Sequence, residues 1–189
     1  SAPLKIVQED FGLTVDKVLA TAHKVLRANG SSAATGGESN ALSQLKAMTT
    51  IVADTGELDK IKAILPEDAT TNPTLIFQAL NTDGGKVMFD KAINAAMKKM
   101  GRNADEEALV SEVCDRLAVM IGCEILKIVP GLVSTEVDAN LSFSTEASLA
   151  KARHLVELYE EAGINPRERV LIKMASTWES IDACRQLER

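Results

Sequence analysis

Three charged residues close short apolar runs, and together they could do carbonyl chemistry. Asp54 ends Thr50-Ile-Val-Ala-Asp54, Glu136 lies in Val133-Ser-Thr-Glu-Val137, and Lys173 ends Val170-Leu-Ile-Lys173. A lysine at the end of an apolar strand is expected to be partly desolvated, which favours the neutral amine. A neutral amine attacks a carbonyl and forms a Schiff base. The protonated imine is then an electron sink for carbon–carbon cleavage. Nearby carboxylates would move the protons that imine formation, cleavage and hydrolysis require. Plainer readings compete at each position. Lys173 could be a solvated strand end, and Glu136 with Lys173 a structural ion pair. Asp54 before Thr55-Gly56 has turn or cap character. Asn72 before Pro73 reads first as a helix N-cap with proline at the first helical position.

The elements that would position these groups alternate. Side chains alternate across a strand. Val52 and Asp54 therefore share a face, as do Ser134 with Glu136 and Leu171 with Lys173. Thr50–Asp54, a strand end at Ala69–Asn72, Val133–Val137 and Val170–Lys173 give four strand candidates. A long helical region runs from about Gly84 to Leu126, broken near Gly101 to Asn103. Leu109, Val113, Leu117, Met120 and Ile121 form one apolar stripe in its second half. Ser144 can cap the following helix and Gly163 can close it. A further helix starts at Trp178. Strand–helix alternation of this kind predicts an α/β fold with parallel strands. In a barrel of eight such strands, sites form at the C-terminal strand ends.

Residues 1–41 differ in character. An amphipathic helix is expected over about Thr14 to Arg27, followed by a flexible linker from Gly30 to Ser39. We read 1–41 as an extension and 42–189 as the main domain.

The 189 residues carry a net charge of -6, with 46% hydrophobic and 25% charged residues. An acidic chain disfavours nucleic acid and anionic membranes as partners. No apolar run is long enough to span a bilayer. Cys114, Cys123 and Cys184 form no CxxC pair. They read as reduced thiols packed in helices, not as a disulfide framework or zinc site. His154 reads as a surface residue and Lys98-Lys99 as a solvated pair. Gly84-Gly85 reads as a loop without a phosphate-cradling motif. Trp178 reads as a pocket wall or as helix-to-sheet packing.

From about Leu42 onward the chain resembles the transaldolase family. TTIVADTGELD, PEDATTNPTLI, EILKIVPGLVSTEVDA, LSFSTEASLAKARHLVELYEEAGI and VLIKMASTWESI carry the resemblance in order. It implies a (β/α)8 TIM barrel of class I aldolase type, with about the first half in this chain. It implies transfer of a dihydroxyacetone unit from sedoheptulose 7-phosphate to glyceraldehyde 3-phosphate, in the non-oxidative pentose phosphate pathway. By match to the family, Lys173 would form the Schiff base and Asp54 would be the acid/base at the cleaved bond. Glu136, with a water, would handle protons around the imine, and Asn72 would hydrogen-bond the substrate. No metal or organic cofactor is implied.

The family often has arginine where this chain has Leu132 and Asn140. Its later strands, which carry groups that hold the imine and the phosphate, lie beyond Arg189. The chain by itself is therefore expected to turn over little, with the C-terminal half of the barrel as its partner. An open edge on the fourth strand leaves self-association as an alternative. A fructose 6-phosphate aldolase-like enzyme is the second reading, and a non-catalytic half-barrel the third. The compartment is read as cytoplasmic, with the plastid stroma as alternative.

Overall fold

A computed structural model describes residues 40–101 and 103–188. The expected helix at Thr14–Arg27 and the linker at Gly30–Ser39 lie outside the described residues. In chain order the elements are α1 (Ala41–Lys46), β1 (Val52–Asp54), α2 (Leu58–Ile64), β2 (Asp68–Thr70), α3 (Pro73–Ala79) and α4 (Asp83–Met100). There follow α5 (Glu106–Leu126), β3 (Val133–Glu136), a 3-10 turn (Ala139–Leu141), α6 (Thr145–Glu161), α7 (Pro166–Arg169), β4 (Val170–Lys173) and α8 (Trp178–Leu187).

The four strands are parallel and stand in the order β1-β2-β3-β4. Ala53, Ala69, Val133 and Thr135 are buried on the side that the helices cover. On the opposite face Val52 and Leu171 are about half exposed. A doubly wound sheet reverses its strand order and is covered on both faces. Sequential order with helices on one face is the winding of a barrel wall. The four expected strands are present, each trimmed at one or both ends except β4.

Helix boundaries follow from local chemistry. Asp105 caps α5 by accepting from Ala108 N at 3.1 Å, and Glu106 and Glu107 oppose the helix dipole in the first turn. Ser144 caps α6 by accepting from Ala147 N. Gly163, at φ +80°, follows that helix in the left-handed conformation that a side chain resists. The break in the long helical region falls at Gly101, φ +84°. Gly84 and Gly85 are not a loop: both lie in the first turn of α4, whose cap is Thr82. A Cβ on Gly85 would overlap the carbonyl of Ala79, so the close approach of α3 to α4 needs glycine there.

The core lies between the sheet and its helices. The apolar stripe of α5 faces it, with Val113, Leu117 and Ile121 buried and Leu109 and Met120 half-buried. Tyr159 of α6 is wholly buried, and its hydroxyl lies 2.6 Å from Thr135 Oγ1. At the N-terminal end of the sheet, Arg169 donates to the carbonyls of Gly131, Val129 and Leu126. Asp68 Oδ1 accepts from Leu132 N at 2.7 Å. These bonds satisfy the backbone of the α5–β3 turn, which would otherwise bury unpaired polar groups.

Several plain readings of single residues are overturned. His154 is not a simple surface residue. Its Nε2 lies 2.8 Å from Glu112 Oε2, and 22% of its side chain is exposed. Lys99 pairs with the same carboxylate at 3.1 Å. Trp178 does not pack against the sheet and is 85% exposed. Of the three cysteines expected in packing positions, Cys114 is exposed and Cys123 and Cys184 are half-buried.

Candidate active site at the C-terminal strand ends

In a parallel ladder, residues in register project to the same face. Asp54 pairs with Thr70, Thr70 with Ser134, and Ser134 with Leu171. Glu136 pairs with Lys173 two residues further on. Asp54, Ser134, Glu136 and Lys173 therefore lie on one face of the sheet, the face turned away from the helices. Burial agrees: β3 reads buried, half-buried, buried, half-buried from Val133 to Glu136.

Lys173 Nζ lies 3.1 Å from Glu136 Oε2. The lysine side chain is 44% exposed and the glutamate 24%. Lys173 is thus partly covered by its surroundings, and an amine and a proton acceptor stand in direct contact at the strand ends.

Asn72 follows β2 and caps α3. Its Oδ1 accepts from Leu75 N at 2.9 Å, with Pro73 opening the helix. Proline suits that place because the first helical N–H has no intrahelical partner. The cap fixes one end of the amide group and therefore its plane. Asn72, Glu136 and Lys173 together line a cleft of about 540 Å³, with Pro73, Thr74, Leu75 and Ala139.

Asp54 is exposed and is not among the residues lining this cleft. It stands two strands from β3, level with Ser134. Strand spacing of about 4.8 Å sets it roughly 10 Å across the face from the Glu136 strand. The structure thus gathers three of the four candidate residues and holds the fourth on the same face at a distance.

A larger groove of about 900 Å³ adjoins the cleft between α3 and α5 and shares Pro73 and Glu136 with it. Neither Lys173 nor Asn72 lines it. Its walls are mainly apolar, with Ile76, Phe77, Leu80, Val110 and Leu117. Lys173 and Asn72 line the smaller cleft alone, and Glu136 stands where the two meet.

Among the described residues, no group of three or more His, Cys, Asp or Glu could hold a metal ion. No helix among them is long and apolar enough to cross a membrane.

Sequence reasoning missed the charged cluster of α5 and α6. Glu112 is bonded by Arg116 at 2.7 Å, and Lys151 lies 2.5 Å from Asp115. The i,i+4 spacing of Glu112 and Arg116 was a visible signal, but the partners on α6 are about forty residues away. Burial raises the Glu112 carboxyl. The Lys99 hydrogen bond and the charges of His154 and Arg116 outweigh that, so it titrates below its ordinary value. Also missed was the hydroxyl of Thr177, which donates to the carbonyl of Ser142 at the end of the 3-10 turn.

The family model described as transaldolase/fructose-6-phosphate aldolase matches residues 51–189. A transaldolase of Marinomonas sp. (strain MWYL1) is 55% identical over 151 residues, covering 80% of this chain and 46% of that protein. A transaldolase of Shewanella sp. (strain ANA-3) is 54% identical over 150 residues, 79% of this chain and 46% of that protein. One from Prochlorococcus marinus (strain MIT 9313) is 52% identical over 148 residues, 78% of this chain and 38% of that protein. The chain spans about half the length of the curated relatives it matches, or less.

Proposed function

Because the chain belongs to the transaldolase/fructose-6-phosphate aldolase family, we propose that Lys173 is the Schiff-base nucleophile of a transaldolase. The observation that carries this is the contact of Lys173 Nζ with Glu136, 3.1 Å apart, in a cleft that Asn72 also lines.

The proposed reaction begins with attack of the neutral Lys173 amine on the carbonyl carbon of sedoheptulose 7-phosphate. The carbinolamine loses water to give a protonated imine. Glu136, through a water, supplies and removes the protons of these steps. Asp54 takes the proton from the hydroxyl on the carbon beyond the bond to be broken. That bond's electrons move into the imine, and erythrose 4-phosphate leaves. The enamine that remains attacks the aldehyde of glyceraldehyde 3-phosphate, and Asp54 returns its proton to the new hydroxyl. Hydrolysis of the imine then frees fructose 6-phosphate and Lys173. Asn72 hydrogen-bonds the three-carbon unit while it is attached. The chemistry uses side chains and water alone.

The names of the relatives favour transfer over simple aldol cleavage, since each is a transaldolase. The remaining strands of the barrel are proposed to pair along the edges of the sheet at β1 and β4. The order of the four strands supports this, as does the length of the relatives. Residues 1–41 are proposed as an N-terminal extension to the family domain, a reading supported by the family match beginning at residue 51. Sugar phosphates are the proposed substrates, and the cytoplasm the proposed setting, with the plastid stroma as alternative. Three free thiols suit a reducing compartment.

Borohydride trapping tests the nucleophile. The protein is incubated with fructose 6-phosphate, reduced and mapped by mass spectrometry. A dihydroxyacetone or hexose adduct on Lys173 is expected. A folded, full-length protein that turns over substrate without an adduct at Lys173 would overturn the assignment.

A further inference from the structure

We infer that Thr177 is a positioning residue that sets Lys173 against Glu136, a role that rests on the Schiff-base reading of that pair. The β3–β4 ladder ends at this pair. Its last rung is the bond from Val137 N to Lys173 O, at 2.9 Å. Beyond it the two chains part, one into the 3-10 turn and one into α8. A strand end with no further rung frays unless something else ties it.

Thr177, four residues past Lys173, supplies that tie. Its hydroxyl donates to the carbonyl of Ser142, the residue that closes the 3-10 turn after β3. The same oxygen accepts from Ser180 N at 3.2 Å and so caps α8. Two weaker bonds reinforce the seam: Ser180 Oγ donates to the Ser142 carbonyl at 3.4 Å, and Thr145 Oγ1 donates to Glu179 O at 3.0 Å. Ser142 and Ser180 are both buried, so water does not substitute freely for these partners.

One hydroxyl therefore joins two jobs, starting α8 and holding its first turn to the end of the 3-10 turn that follows β3. Lys173 is held between the last ladder rung and this tie. Loosening the tie leaves the register intact and lets the Lys173 end of β4 swing against Glu136. Reacting groups tolerate little displacement: a misplacement of about 1 Å can cost on the order of 100-fold in rate.

The test separates the tie from the cap. Thr177→Ser keeps both bonds. Thr177→Val removes both. Thr177→Asp keeps a good helix cap but has no proton to give the Ser142 carbonyl. The full-length protein is assayed for the single-turnover rate of borohydride-trappable adduct with fructose 6-phosphate, for kcat and KM, and for its melting temperature. Thr177→Asp keeps the α8 cap but takes the donor from a buried carbonyl, so it should melt below wild type and above Thr177→Val, and form adduct about 10- to 100-fold more slowly. Its kcat should fall with little change in KM. Thr177→Val should share the loss of rate, and Thr177→Ser should restore it. Wild-type adduct rates in Thr177→Asp and Thr177→Val would overturn the positioning role and leave the Schiff base standing. Absence of any wild-type adduct at Lys173 would overturn both.

Discussion

The Tyr159 hydroxyl meets Thr135 Oγ1 at 2.6 Å on the helix-facing side of β3, directly behind the residue that faces the cleft, Glu136. Both partners are wholly buried. Burial pushes the Tyr159 phenol well above its ordinary value, and the bond to Thr135 pulls back only in part. The phenol is thus a neutral group throughout the physiological range. A Cβ on Gly122 would overlap its oxygen.

Tyr159→Phe should therefore cost about 1–3 kcal/mol, because it leaves the Thr135 hydroxyl buried without its partner. Gly122→Ala should cost about 1–3 kcal/mol by overpacking. The two should not add, since removing the hydroxyl removes most of the overlap. Urea unfolding of both single variants and the double variant measures the coupling. Additive costs would mean that the helices relax without regard to this contact.

The charge cluster on α5 and α6 makes stability fall on the acid side. The Glu112 carboxyl is lowered in the folded state, where Lys99, Arg116 and His154 surround it. A lowered folded value means that the unfolded chain takes up the proton first. Its contribution is present above the unfolded carboxylate range and is lost as pH falls through the folded value. Asp115 runs the other way, because burial raises it despite its Lys151 partner. Glu112→Gln should flatten the loss of stability below about pH 4.5, the ordinary carboxylate range. Urea midpoints of wild type and variant from pH 3 to pH 7 check this. Parallel curves for the two proteins would show that the cluster does not set the acid limb.

Substitutions at the cleft should separate by step. Asp54→Asn is expected to form the trapped Lys173 adduct while turnover drops about 100- to 10,000-fold, the usual range for losing a general acid/base. Glu136→Gln is expected to slow adduct formation itself. Lys173→Ala should give no adduct. Trapping rates set beside steady-state turnover distinguish the three. Slow trapping in Asp54→Asn would assign that carboxylate to imine formation and not to bond cleavage.

Much of this was legible along the chain because its signals are local. Three of the strands announce themselves as short apolar runs, β2 is marked only as a strand end before Pro73, and the faces of β3 and β4 follow from alternation alone. Ser144 and Gly163 mark the limits of α6 by their own chemistry. Asn72 and Pro73 also carry their cap geometry in their types and order. The missed features depend on partners distant in sequence. His154 appears solvated until α5 is laid beside α6. Trp178 reads as a pocket wall or a packing residue until α8 presents it outward. The separation of Asp54 from the other three candidate residues depends on strand order, which no single segment encodes. Exposure at Lys173 likewise depends on what stands over the sheet face, not on the apolar run before it.

Arg169 gathers three carbonyls at the N-terminal end of the sheet, whereas Lys173, only four residues later, stands at the other end. One short strand thus links an anchor to the proposed nucleophile. Protein engineers could reinforce the anchored end without retuning the chemistry, and diversify the tip without putting the fold at risk. A mutational scan of this chain should show the gradient directly, with losses of abundance clustering around Arg169 and losses of rate around Lys173.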